Sequence, residues 1–146
     1  MITETLKQVV SDSGCTVVIY EQRQVLNLRT DIGIPSDIIG VIVQPDNGVL
    51  EVHANSIQEH WNPLYIEVLK QITSMEEPAD DHEAMLQTLL DICKQIITRL
   101  IITAEFKKVT PVRINKIVES KYDANLIGWV MTLDLYYLEN RVNVPC

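Results

Sequence analysis

The chain has 146 residues, 47% of them hydrophobic, and a formal net charge of −8. Length and apolar content suit one domain, residues 1–146, around one core, and the acidity excludes a general phosphate-neutralising surface, because duplex binding relies on clustered Lys and Arg. Only 5 Gly and 6 Pro occur, with no low-complexity tract. No run of about 18 apolar residues and no basic, apolar leader appears, so the expectation is a protein made and kept in a cytoplasm, without a membrane. Cys15, Cys93 and Cys146 are odd in number and widely spaced; they fit reduced thiols rather than a disulfide framework or a C-x-x-C site.

In chain order, Ile2, Leu6, Val9 and Val10 share one helical face, and Gly14 supplies a left-handed stop. Cys15 to Tyr20 is β-branched and apolar, which predicts a short buried strand. Residues 21–37 lose any clean period while carrying Val25, Leu26, Leu28, Ile32 and Ile34, so a long apolar loop is expected there, one that wants a surface to bury against. Ile38 to Val43 reads as a strand buried on both faces. Pro45-Asp46-Asn47-Gly48 is a reverse-turn signal before Val49 to His53, and together these predict a β-hairpin. A polar stretch, 55–62, precedes a strand from Leu64 to Leu69 whose start Pro63 places at an edge or bulge.

The clearest element is a helix over about 81–103, in which Leu86, Leu89, Leu90, Cys93, Ile96, Ile97, Leu100 and Ile101 hold helical spacing. Two strands follow, broken at Tyr122-Asp123-Ala124-Asn125, and in the last one Trp129, Met131, Leu133, Leu135 and Tyr137 form the core-facing row. The order implies an α+β fold: an antiparallel sheet with a short N-terminal helix and one long helix on one face, and an extended tail at 141–146.

Chemistry finds little support. Asp80-Asp81-His82-Glu83 holds carboxylates and an imidazole of the kind a metal-dependent hydrolase needs, but four adjacent residues cannot all face one ion, and capping of the long helix explains them. His53 and His60 lack a metal-ligand spacing and read as surface histidines. Cys93 falls on the apolar stripe of the long helix, where a thiol is a small core residue rather than a nucleophile. No phosphate-binding glycine loop and no G-x-S-x-G elbow occurs. No catalytic residue, cofactor or metal is therefore expected. Trp61 and the pair Tyr136-Tyr137 are aromatics of the kind enriched at interfaces. The expected subunit contacts are Val25, Leu28, Ile32 and Ile34 of the 21–37 loop, Trp61, and Val142 and Val144 of the tail.

The acidic lead-in Glu76-Glu77-Pro78-Ala79-Asp80-Asp81 before the long helix, the pattern Tyr122-Asp123-Ala124-Asn125-Leu126-Ile127-Gly128-Trp129 opening the last strand, and the late Cys146 resemble small tail-completion or tail-terminator proteins of phages and prophages, especially those of Bacteroidetes hosts. The resemblance spans Ile38 to Cys146 and rests on element order and a loose Tyr-Asp-x-x-x-x-Gly-Trp pattern. It implies a virion protein: a subunit of a six- or twelve-membered ring at the head–tail junction, in contact with copies of itself and with portal, connector and tail proteins. A ring of the tail barrel in crAss-like phages is the related possibility. It brings no catalytic residues, and DNA would pass nearby without specific binding, which an acidic subunit favours. From other classes, the residues also allow a soluble assembly chaperone or adaptor binding through the 21–37 loop, and a small metal-dependent hydrolase built on Asp80, Asp81 and a histidine.

Overall fold

A computed structural model describes residues 2–45, 48–53, 56–72, 79–103, 106–122 and 124–140. The elements run α1 (Ile2–Asp12), β1 (Val17–Glu21), α2 (Arg23–Asn27), β2 (Ile38–Val43), β3 (Gly48–His53), β4 (Ser56–Gln71), α3 (Ala79–Ile102), β5 (Phe106–Lys121) and β6 (Ala124–Asn140). The six strands form one sheet in the order β1-β2-β4-β6-β5, with β3 also paired to β4. The fold is α+β.

α1 and α3 lie on one face of the sheet. There Leu6, Val9 and Val10 from α1 and Leu89, Cys93, Ile96 and Leu100 from α3 meet Ile42, Ile66, Val68, Met131 and Leu133, so the helical spacing of α3 is that of its buried stripe, except that Ile101, expected on it, is exposed. The indole of Trp129 in β6 donates to the carbonyl of Leu86 at 2.8 Å and ties the first turns of α3 to the sheet. At Gly128 the sheet is so close that an added Cβ would run into the carbonyl of Val68 on β4; no other residue fits there.

Four expectations need correction. The sheet is mixed, because β1 and β2 are parallel, Val17 opposite Ile39 through Glu21 opposite Val43. A parallel pair needs a crossover connection, and residues 22–37 supply it, so this segment is no free loop. It contains α2 and packs on the sheet face opposite α1 and α3, with Leu26 and Ile32 buried among Ile39, Val41, Val43 and Leu69. Hydrogen bonds fasten the rest: Gln71 Nε2 to the Gly33 carbonyl at 2.9 Å, Lys70 Nζ to the Pro35 carbonyl at 3.2 Å, and the Thr16 hydroxyl to Asp37 at 3.0 Å.

β2 and β3 do not form a hairpin. Both pair with β4, β2 with Tyr65–Lys70 and β3 with Ser56–Trp61, so they follow one another along the same side of it. The hairpin is β3–β4, joined between His53 and Ser56. Finally, the stretch 56–62 is not a polar loop but the first half of a 16-residue strand that runs through Pro63.

Pro63 does sit at a bulge. Trp61 faces Leu135 and Leu64 faces Leu133, so Asn62 and Pro63 together oppose Asp134. On the other side of β6, Val109 faces Leu135 and Val112 faces Leu133, so Thr110 and Pro111 oppose the same residue. Two bulges flanking Asp134 form a crease across three strands, because each bulge bends its strand and increases its twist. Beyond the crease the sheet continues as an arm made of β3, the first half of β4, the end of β6 and the start of β5. Among the described residues no helix is long and apolar enough to cross a membrane.

Candidate functional site

The residues singled out for chemistry do not come together. α3 begins at Ala79, so Asp80 to Glu83 lie within its first turn rather than before it, where backbone N–H groups and the helix dipole favour acids. The side chains of His53, Asp80 and Asp81 lie outside the described set. Among the described residues no three His, Cys, Asp or Glu side chains converge as a metal-binding group. His60 is not a solvated surface histidine: its ring stacks on Tyr136 across the strands, centroids 4.0 Å apart and planes within 7°. Cys93 is buried, as is Cys15. Burial pushes the thiols of both up to about 12, with Cys15 adding to the shift at Cys93. A thiol held neutral in this way is no nucleophile at neutral pH.

Among the described residues one charged group is buried. Glu67, in the middle of β4, is 2% exposed and faces the α2 side of the sheet. Lys121 Nζ donates to its Oε2 at 3.3 Å, Arg23 Nη1 lies 3.6 Å from the same oxygen, and the Tyr122 hydroxyl donates to Oε1 at 3.4 Å. Arg23 also sits over the ring of Tyr65 at 5.6 Å, and Lys121 over that of Tyr122 at 4.9 Å. Burial alone would pull the Lys121 ammonium down, but Glu67 and Tyr122 outweigh it and hold it above its ordinary value. Burial, and then the Glu67 charge, push the Tyr122 phenol up. Tyr122 adopts a left-handed conformation, φ 56°, as the hairpin turn between Lys121 and Ala124 requires. Its cost is offset by the buried ring and the bond to Glu67. The cluster is a clasp: it joins the crossover segment, through Arg23, to the centre of the sheet and to the β5–β6 turn. Nothing in the spacing of Leu64-Tyr65-Ile66-Glu67-Val68-Leu69 distinguishes that glutamate from an edge residue, so sequence reasoning missed it.

The expected interface residues divide four ways. Val25, Leu28 and Ile34 are exposed on the outer side of the crossover segment, Leu28 by 83%. Ile32 is core, 1% exposed, because the segment turns it toward the sheet, and it cannot meet a neighbour. Trp61 is half-buried at the crease, its ring against Gly48. Val142 and Val144 lie outside the described residues.

A further exposed apolar surface is one the sequence reading passed over. On the arm, Val49, Leu50 and Val52 are 56%, 66% and 79% exposed. The register sets Leu50 opposite Glu59 and Val52 opposite Ile57, on the same face as Trp61. On β6 this face is buried in the α3-side core as far as Leu135 and Tyr137, whereas on β3 Leu50 and Val52 stay exposed. β3 pairs only with β4, so its outer edge is also open among the described residues. Exposed apolar strand edges of this kind are templates for association.

Fold and surface together define a class, an α+β domain that carries an uncovered β arm, and stop short of a family. No protein-family model matches the chain, and no curated protein matches it significantly.

Proposed function

We propose that this chain is a non-catalytic structural subunit that assembles with copies of itself, in the manner of the ring proteins of phage head–tail junctions and tails that its sequence resembles. The carrying observation is the arm: Leu50 and Val52 are exposed on one face of β3 and Val49 on the other, and burying such residues against another subunit recovers roughly 25 cal/mol for each Å² removed from water. A net charge of −8 supports a subunit beside which DNA passes without adhering. In this reading the protein works in the virion, next to portal, connector or tail proteins.

Light scattering coupled to size exclusion, followed by negative-stain imaging, tests it. Closed rings of uniform size are expected. A strict monomer at high concentration overturns self-assembly, and a defined complex formed only with a separate protein absent from finished particles replaces it with the adaptor reading.

A further inference from the structure

The geometry points to a specific partner for the arm: the groove between α3 and β5 of the next copy. This rests on the self-assembly reading above and names its contact. The groove is lined by Leu90, Cys93, Ile97, Val112, Ile114 and Met131 and has a volume of about 370 Å³, enough for two leucine-sized side chains at roughly 150 Å³ each. It opens beside β5, which ends the sheet, and Ile114 stands 41% exposed at its edge. The arm offers what the groove accepts, Leu50 and Val52 on one face of a strand.

Charge agrees with this pairing. On the apolar face of the arm Glu59 stands opposite Leu50, and on the face of β5 that lines the groove Lys116 follows Val112 and Ile114, whereas Glu51 and Arg113, one residue out of phase, belong to the opposite face of the sheet. Lys94, also exposed, stands at the groove. An acidic, apolar arm and a basic-rimmed, apolar groove are complementary in both respects.

The arm cannot reach its own groove. Both belong to one sheet, and Leu50 lies level with Tyr137 while Ile114 lies level with Met131. The offset is about 20 Å along the strands and about 14 Å across them. The contact is therefore made between copies and is heterologous, one patch meeting a different patch, which repeats head to tail and closes where the rotation permits.

Two single variants and their mixture test this. Leu50→Asp disables the arm and Ile114→Asp the groove; both positions are exposed, and circular dichroism and thermal melting confirm that each variant folds. Each alone is expected to be monomeric. Mixed, they are expected to give a heterodimer of one copy each, because the intact arm of I114D enters the intact groove of L50D and leaves only disabled ends. Val52→Asp and Lys94→Glu form a second pair should either first variant unfold. If I114D assembles as the wild type does, or if the mixture of two monomeric variants stays monomeric, the groove is not the partner although self-assembly stands. A monomeric wild type overturns both.

Discussion

Glu67 has no water to turn to, so its charge is held by Lys121, Arg23 and the Tyr122 hydroxyl. Removing the carboxylate strands two cations that are only partly exposed, 24% and 36%. Glu67→Ala should therefore cost about 2 kcal/mol, below the 3–5 typical of fully buried pairs because both cations keep some solvent. Glu67→Met, which fills the space and frees the cations, should cost less than the alanine change. Urea unfolding measures both, and an alanine variant as stable as the wild type would show that the clasp holds nothing. The clasp and the two thiols also set an alkaline limit. Cys15, Cys93, Lys121 and Tyr122 all bind their protons more tightly folded than unfolded, so stability is complete below their unfolded values and falls as pH rises. The loss should begin near pH 9, where unfolded thiols ionise, continue toward the folded value of about 12, and steepen above about 10 as the unfolded tyrosine and lysine join. Urea midpoints from pH 7.5 to 10.5 should fall, and less so for Cys93→Ala. A flat profile contradicts the assignment.

Elements with an internal period were legible: α1, α3 and the β5–β6 hairpin all stand where their apolar spacing places them. Partner choice was not, since Pro45-Asp46-Asn47-Gly48 signals a reversal whether or not the flanking strands pair, and β2 and β3 both chose β4. The first half of β4 was unreadable for a different reason. Its inward row is Ile57, Glu59 and Trp61 and the row after the bulge is Leu64, Ile66 and Val68, so the alternation changes parity at Asn62-Pro63. Gly128 tests how closely β4 and β6 approach. Gly128→Ala drives a methyl group into the Val68 carbonyl, and since neither backbone can withdraw without breaking the ladder, a loss of about 3 kcal/mol or more is expected. A thermal melt within a degree of the wild type would refute the close approach.

At the scale of the molecule, the sheet serves two purposes divided by the crease at Asp134. On one side it is sandwiched between α1 and α3 and the crossover segment, and most of both cores is built there, the helix-side core reaching past the crease to Leu135 and Tyr137. On the other it projects as the arm. The α+β class was readable from the sequence because helices and strands have different periods. The arm was not, because what defines it is the pair of bulges beside Asp134 and the lone pairing of β3 with β4. The expected interface at 21–37 was half legible: apolar content marked the segment, but only the three-dimensional path separates the buried Leu26 and Ile32 from the exposed Val25, Leu28 and Ile34.

The two tryptophans fall on opposite sides of this division. Trp129 is hydrogen-bonded to α3 in the helix-covered core, and Trp61 lies against Gly48 at the root of the arm. The chain thus carries its own pair of optical reporters. With Trp61→Phe the remaining fluorescence follows the docking of α3, and with Trp129→Phe it follows the surroundings of the arm, so folding and assembly can be watched separately in one protein without a dye.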